Sequence, residues 1–151
     1  MSAMQEPSLI GPSGARSRRV VVVEDNPDDE RLTRNVLKSL NYPLELHIAR
    51  DGSEAVEMLT APTPKPDLVL LDIRLPKFSG CEVLRAVRAT PDNRYYPIVM
   101  FTSSDDPREM AECYECGANS FITKPIDSDR YKLLLGMAAE YWLTANSTPV
   151  E

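Results

Sequence analysis

The sequence predicts a single α/β domain whose parallel sheet has five strands and is covered by helices on both faces. Short runs rich in Val, Ile and Leu alternate along the chain with longer stretches whose apolar residues recur at spacings of three and four. Several of the short runs are continuously apolar, as expected of strands that are buried on both faces. The length of 151 residues suits one domain with a proper core.

The apolar runs are the predicted strands, and their order along the chain alternates with the helical stretches. The second run alternates between apolar and polar residues, which is typical of an edge strand. The five runs cover residues 20–23, 44–48, 68–71, 98–101 and 120–123.

Apolar residues at helical spacing predict one helix after each strand. The stripe of the fourth helix is the weakest, and that of the fifth is the most apolar. The stripes comprise Leu32, Val36, Leu37 and Leu40; Ala55, Val56 and Leu59; Val83, Leu84 and Val87; Met110, Cys113 and Tyr114; and Tyr131, Leu134, Leu135, Ala138 and Trp142. Asn26, Ser79 and Asp127 are the predicted N-caps of the first, third and fifth helices.

The flanks of the domain have a different composition. Residues 1–17 are rich in Ser, Pro, Gly, Ala and Met without apolar periodicity, which predicts a disordered N-terminal tail. We expect the folded domain to span residues 18–145 and a short C-terminal tail to span residues 146–151.

Charge and composition exclude several classes of function. The net charge of −6 argues against a surface that binds nucleic acid, since such surfaces carry basic residues. No apolar run reaches the roughly 18 residues of a membrane span, and no signal peptide is visible, so we expect a cytoplasmic protein. Three cysteines are too few for a disulfide framework and fit reduced thiols.

Chemically versatile residues follow four of the five predicted strands. Ligands of open parallel α/β sheets bind at the carboxyl ends of the strands, so these residues should meet at one edge. They are Glu24 and Asp25 after the first strand, Asp72 after the third, Thr102 and Ser103 after the fourth, and Lys124 after the fifth.

This combination of side chains predicts both a metal site and an anion pocket. Carboxylates packed together repel one another, and a hard divalent cation with oxygen ligands resolves that repulsion, Mg²⁺ being the best candidate. The lysine and the hydroxyl opposite them would hold a phosphoryl-like group. The predicted chemistry is therefore phosphoryl transfer.

Four motifs in this order and at these spacings resemble the receiver domains of two-component signalling. They stand here as Val-Val-Glu24-Asp25-Asn-Pro, Leu-Leu-Asp72-Ile-Arg-Leu-Pro76, Met-Phe-Thr102-Ser103 and Phe121-Ile-Thr-Lys124-Pro125. The resemblance covers roughly residues 18–145. It implies a doubly wound, flavodoxin-like (CheY-like) sheet of order 2-1-3-4-5, and a histidine kinase as the donor of a phosphoryl group to Asp72.

In-line transfer assigns a role to each residue of the site. A carboxylate oxygen of Asp72 is the nucleophile, and Mg²⁺ would be held by Asp25, by Asp72 and, as the resemblance implies, by the backbone carbonyl of Arg74. Glu24 would join the metal directly or through water. Lys124, the Thr102 hydroxyl and the Ser103 amide would contact the phosphoryl oxygens.

The resemblance also implies how the signal leaves the site. Thr102 would be drawn toward the phosphoryl group, and the aromatic ring of Phe121 would rotate into the vacated space. The readout surface would be the fourth helix, fifth strand and fifth helix, acting on an unknown downstream protein. Arg74 and Ser104 line the mouth where hydrolytic water enters and should tune the phosphoryl lifetime.

Further details resemble single-domain regulators that partner phytochrome-type histidine kinases. They are Glu24-Asp25-Asn26-Pro27-Asp28-Asp29, Leu-Pro-Lys77, Ala118-Asn119-Ser120-Phe-Ile-Thr-Lys-Pro and Tyr141-Trp142-Leu143. This resemblance implies a red-light-sensing kinase, such as a bacteriophytochrome, and a homodimer through the last strand and helix. At least one of the last three residues should be exposed, since consecutive helical residues cannot all face inward.

Two other hypotheses start from the same site residues, and a third starts from a pair of cysteines. An aspartyl phosphohydrolase of the haloacid-dehalogenase type would need a second aspartate where Arg74 stands, so we expect a phosphoacceptor signalling protein that takes part in its own phosphorylation and dephosphorylation instead. A pseudo-receiver adaptor would bind partners without phosphorylation. The C-x-x-C spacing of Cys113 and Cys116 would suit a redox or zinc half-site, but small residues that fill helix–sheet contacts explain it more simply.

Overall fold

The computed structural model describes residues 17–41, 43–61, 65–93 and 95–149. In these segments five strands alternate with five helices, as the sequence predicts. The strands are β1 (Arg18–Val23), β2 (Leu44–Ala49), β3 (Leu68–Leu71), β4 (Ile98–Thr102) and β5 (Ser120–Thr123). The helices are α1 (Pro27–Lys38), α2 (Gly52–Thr60), α3 (Gly80–Arg88), α4 (Pro107–Glu115) and α5 (Ser128–Glu140), and a π-helical turn, Tyr141–Ala145, continues α5.

All neighbouring strands pair in parallel, in the order β2-β1-β3-β4-β5. The predicted doubly wound, flavodoxin-like topology is therefore confirmed. The alternating second strand lies at one edge of the sheet, as its pattern indicates. Because β1 and β3 are adjacent, the residues that follow them are brought together at the carboxyl edge.

The core consists of two apolar layers, one on each face of the sheet. Successive residues of a strand point to opposite faces, so Val21 and Val23 pack toward α2, α3 and α4, while Val20 and Val22 pack toward α1 and α5. All four side chains are at most 3% exposed. Burial on both faces is the reason why these strands are continuously apolar.

The predicted N-caps form. The Asn26 side chain accepts hydrogen bonds from the backbone N–H groups of Asp28 and Asp29, and the Asp127 side chain accepts one from Arg130. Ser79 and Glu82 form a complete capping box at the start of α3. These caps fix where α1, α3 and α5 begin, directly beside the carboxyl edge of the sheet.

One member of the predicted apolar stripes is exposed, and it lies on α4. Cys113 is fully buried as expected, but the neighbouring Tyr114 is 48% exposed because consecutive residues on a one-sided helix point in different directions. At the C-terminus Leu143 is buried and Tyr141 is exposed, which confirms that the last three large residues do not all face inward.

The predicted tails fall largely beyond the described segments. Residues 1–16 and residues 150–151 lie outside them, so the proposed boundaries at residues 18 and 145 stay predictions. Among the described residues, no helix combines the length and the apolar character that crossing a bilayer requires.

Candidate functional site

Three carboxylates form a compact cluster at the carboxyl edge of the sheet. Glu24 and Asp25 directly follow β1, and Asp72 directly follows the adjacent β3. One oxygen atom from each side chain lies within 4.8 Å of the others. Glu24 and Asp72 are buried, whereas Asp25 is exposed. In the described part of the chain this is the one group of three or more acidic, histidine or cysteine side chains that could hold a metal ion, and Cys113 and Cys116 join no such group.

Lys124, directly after β5, is a buried ammonium group in contact with three carboxylates. Its Nζ donates to Asp72 Oδ2 at 3.0 Å, to Asp29 Oδ2 at 3.0 Å and to Glu24 Oε1. An ammonium group has three N–H donors, so each of them meets one carboxylate. Lys124 thereby compensates the repulsion within the acidic cluster.

Burial and charge shift the pKa values of this cluster. Burial raises the pKa of Glu24 to about 7, although the hydrogen bond and positive charge of Lys124 act in the opposite direction. Burial by itself would lower the pKa of Lys124, but the facing Asp72 and Glu24 outweigh it and raise that pKa. Lys124 therefore remains charged at neutral pH and supplies a permanent cation beside Asp72.

The remaining oxygen atoms of the two buried acids also have partners. Asp72 Oδ1 accepts the backbone N–H of Ile73 at 2.7 Å, and Glu24 Oε2 accepts that of Asn26 at 3.1 Å. The Asp25 side chain forms no hydrogen bond or ion pair with the other described residues, so its carboxylate is the most available ligand of the three.

Thr102 lies at the end of β4 and is 1% exposed. Its hydroxyl oxygen accepts the backbone N–H of Ser104 at 3.4 Å, and its carbonyl oxygen accepts the backbone N–H of Lys124 at 2.6 Å. The Thr123 hydroxyl donates to the Ser104 carbonyl at 3.1 Å. These bonds join the ends of β4 and β5. Ser103, which lies between Thr102 and Ser104 in the chain, is exposed.

Phe121 shares a face of the sheet with Thr102. The register pairs Met100 with Phe121 and Thr102 with Thr123, so Thr102 lies two residues beyond the partner of Phe121. Residues two apart on a strand point to the same face. Phe121 is partly buried and packs against the core layer on the side of α2, α3 and α4.

The predicted site residues therefore meet at one edge, and two further residues join them. Asp29, in the first turn of α1, contacts Lys124. Glu109, in the first turn of α4, accepts hydrogen bonds from the Ser104 hydroxyl and from Arg74 Nη2, the latter at 3.1 Å. Both lie at helix starts, so a prediction that rests on the residues at strand ends misses them.

A comparison with family profiles matches residues 20–135 to the response regulator receiver domain, which is more than half of the chain. The chain belongs to this family. This receiver domain is also 35% identical over 136 residues to the response regulator Rcp1 of Synechocystis sp., an alignment that covers 86% of this chain and 92% of the relative. It is accordingly a response regulator of two-component signalling, and a histidine kinase is the partner class that the family implies.

Solved receiver structures share the fold of this receiver domain. The phosphorylated cyanobacterial phytochrome response regulator RcpA superposes with a TM-score of 0.84 at 31% identity, covering 89% of this chain and all of that one. The Mn²⁺-bound form of Rcp1 has a TM-score of 0.79 at 31% identity, covering 88% of this chain and 99% of the other. Relatives of this receiver domain thus include one solved with phosphorylation and one with a divalent metal.

Proposed function

We propose that Asp72 accepts a phosphoryl group from a histidine kinase and that the domain signals through the resulting change of its surface. The observation that carries this proposal is the contact between Asp72 Oδ2 and Lys124 Nζ inside the acidic cluster. A carboxylate that is buried beside a fixed cation can attack an electrophilic phosphorus, because the cation neutralises the negative charge brought by the new group.

The acidic cluster fits Mg²⁺, because three carboxylate oxygens within 4.8 Å of one another are the donor type that this ion prefers. Asp25, Asp72 and the backbone carbonyl of Arg74 would hold the ion directly. Glu24 would join the ion directly or through water, because each of its carboxylate oxygens accepts one hydrogen bond and keeps a second lone pair. When bound, Mg²⁺ supplies charge that neutralises the oxygens of the transferring group.

Three groups on the opposite side would receive the phosphoryl oxygens. Lys124 exchanges its bond to Asp72 Oδ2 for one to a phosphoryl oxygen, and the hydroxyl of Thr102 and the backbone amide of Ser103 donate to the others. Among the described residues the Thr102 hydroxyl only accepts a hydrogen bond, from the Ser104 N–H, so its own hydrogen can be donated to a phosphoryl oxygen. Water that reaches the same phosphorus hydrolyses the acyl phosphate, so the domain takes part in its own dephosphorylation.

The switch would run from Thr102 to Phe121. A hydroxyl that turns toward the phosphoryl group vacates space on the face of the sheet that it shares with Phe121. Phe121 is only partly buried, so its ring can gain burial by moving into that space. The change then reaches the surface formed by α4, β5 and α5, where an unknown downstream protein would bind.

The proposed donor is a phytochrome-type sensor kinase in the cytoplasm. RcpA is described as a cyanobacterial phytochrome response regulator, and this chain covers all of its length. A fully exposed isoleucine, Ile126, stands two residues after Lys124 at the rim of the site. A kinase that delivers a phosphoryl group to Asp72 would approach this rim, so we expect it to cover Ile126.

A homodimer through β5 and α5 is part of the proposal. Leu133, Met137 and Tyr141 are each more than half exposed and recur at intervals of four residues along α5 and the turn that continues it. They form one apolar stripe, which we call the α5 stripe, on the outer face of the helix. An exposed apolar stripe of this kind is suited to pair with a second copy.

Incubation with Mg²⁺ and acetyl phosphate tests the phosphoacceptor role. We expect the intact mass to rise by one phosphoryl group, the label to decay with time, and Asp72→Asn to abolish it. Ser103→Ala serves as the control, because it changes an exposed side chain and retains the backbone amide. Absence of labelling in the presence of Mg²⁺ with both acetyl phosphate and candidate kinases would favour a pseudo-receiver adaptor.

A further inference from the structure

One carboxylate bridges the two loops that form the mouth of the site. Glu109 Oε1 accepts hydrogen bonds from the Ser104 hydroxyl and from the Arg74 guanidinium. Arg74 follows Asp72 by two residues, and Ser104 follows Thr102 by two. Glu109 therefore connects the loop after β3, the loop after β4 and helix α4.

The two bonds of Glu109 differ in their surroundings. Ser104 is 8% exposed, whereas the Arg74 side chain is 70% exposed. An exposed ion pair contributes little to stability, because water and salt screen the attraction between its charges. A charge-assisted hydrogen bond from a buried hydroxyl is stronger, so the contact with Ser104 dominates.

Ser104 is in turn bonded to the proposed switch residue. Its backbone N–H donates to the Thr102 hydroxyl oxygen, and its carbonyl accepts the Thr123 hydroxyl. A Thr102 side chain that turns toward a phosphoryl group loses its contact with Ser104 unless the loop moves with it. Holding Ser104 in place therefore opposes the movement of Thr102.

We propose that Glu109 is a positioning residue that holds Ser104 and thereby stabilises the resting arrangement of Thr102. Glu109 therefore disfavours the phosphorylated arrangement of the site and couples the position of α4 to phosphorylation. This inference rests on the proposed function, because it concerns the switch that follows phosphorylation of Asp72. A group that favours the resting state lowers the apparent affinity of any ligand that selects the other state.

Beryllium fluoride, which imitates a phosphoryl group on a carboxylate, provides the measurement. By titration calorimetry with Mg²⁺ we expect Glu109→Ala to bind it about three- to tenfold more tightly than the unaltered chain, the range of one net hydrogen bond. Glu109→Gln keeps an acceptor for Ser104 and should fall between them. Unchanged or weaker binding by Glu109→Ala would overturn the inference.

Glu112→Ala is the matched control. Glu112 lies three residues further along the same helix. Its side chain is 54% exposed, and it faces Arg85 at 3.9 Å instead of the mouth. Its removal should leave beryllium fluoride binding unchanged. An effect equal to that of Glu109→Ala would assign the change to the charge of α4 rather than to Ser104 and would also overturn the inference.

A second measurement separates this inference from the proposed function. If the unaltered chain fails to bind beryllium fluoride with Mg²⁺, the proposed function is contradicted. NMR of the ligand-free protein then tests separately whether Glu109 holds Thr102 in its resting arrangement. Scalar couplings at Thr102 should show one side-chain rotamer in the unaltered chain and rotamer averaging in Glu109→Ala. One rotamer in both proteins would overturn the role of Glu109.

Discussion

At the scale of residues, Lys124 determines the electrostatics of the site. It is buried and donates to carboxylates from three elements: Glu24 after β1, Asp29 on α1 and Asp72 after β3. Within the described segments, no other cationic side chain forms an ion pair with Glu24 or Asp72. Removal of the ammonium leaves a buried cluster of like charges without compensation, which is more costly than the loss of one exposed ion pair.

Lys124→Met should therefore destabilise the domain in a manner that depends on metal. In the presence of a chelator we expect a loss of about 3 kcal/mol in the free energy of unfolding, measured with urea. Saturating Mg²⁺ should restore part of that loss, because a divalent cation supplies the missing charge. The exposed Lys132→Met is the control, and equal effects of the two substitutions would contradict the role given to Lys124.

At the scale of elements, the start of α3 is held against the loop that carries Asp72. A Cβ atom added to Gly80 would lie 2.3 Å from the Asp72 carbonyl oxygen and 2.8 Å from the Ile73 Cα. Both are backbone atoms, which cannot move aside cheaply. The absence of a side chain at Gly80 is thus a condition for placing α3 beside the site.

Two glycine substitutions distinguish the effect of this close approach on stability from the effect of helix propensity. Gly80→Ala should lower stability, and it should also slow phosphorylation of Asp72, because α3 and the site loop must separate. Gly136→Ala on α5, where an added Cβ meets nothing within 4 Å, should raise stability by about 0.5–1 kcal/mol. Urea unfolding measures both, and a stabilised Gly80→Ala would refute the packing argument.

Helix α1 is attached to the end of β2 by Glu30. Its carboxylate accepts hydrogen bonds from Arg34 at 3.0 Å and from Arg50 at 2.9 and 3.0 Å. Burial would raise the pKa of Glu30, but Arg50 and Arg34 outweigh it and lower that pKa below the ordinary 4.5. A lowered pKa means that the ionised form is favoured by folding.

The stability contributed by Glu30 should accordingly depend on pH. It is fully present above the ordinary pKa and is lost as the pH falls through the lower folded-state value. When the pH is lowered from about 7 to about 3, the free energy of unfolding should fall by a few tenths to about 1 kcal/mol more in the unaltered chain than in Glu30→Gln. Parallel losses in urea unfolding at both pH values would show that the Arg34 and Arg50 contacts contribute nothing.

The elements that could be predicted from the sequence are those whose environment leaves a recognisable pattern of apolar residues. Strands buried on both faces are continuously apolar, and the carboxyl ends of parallel strands must share an edge, so the sequence alone predicts that Glu24, Asp72 and Lys124 meet. Residues on helices are different. Which of them faces the site depends on how each helix packs on the sheet, and spacing alone does not specify that orientation.

Asp29 illustrates this limit. It stands between Asp28 and Glu30, and only the placement of α1 shows which of the three acids reaches Lys124. Glu109 was missed for the same reason at the start of α4, and the exposed member of the predicted stripes, Tyr114, lies on the same helix. The short apolar stripe of α4 leaves its rotation about its own axis poorly determined by sequence.

At the scale of the whole molecule, the proposed dimer depends on the α5 stripe. Leu133→Asp should disrupt an interface built on Leu133, Met137 and Tyr141, because it would bury an unpaired charge. We expect the unaltered chain to sediment as a dimer and the variant as a monomer. Lys132→Asp, also exposed on α5 but outside the stripe, is the matched control. A monomeric unaltered chain at all concentrations would contradict the dimer.

The acidic edge of the sheet is proposed to serve one reaction, the phosphorylation of Asp72. The most direct measurement is to phosphorylate the chain with acetyl phosphate and Mg²⁺, reduce the acyl phosphate with borohydride, and locate the modified residue by tandem mass spectrometry. Reduction converts a phosphorylated aspartate to homoserine, so we expect homoserine at position 72 alone. Homoserine at Asp25, or a phosphoryl group that resists borohydride on a hydroxyl such as that of Thr102, would contradict the proposal.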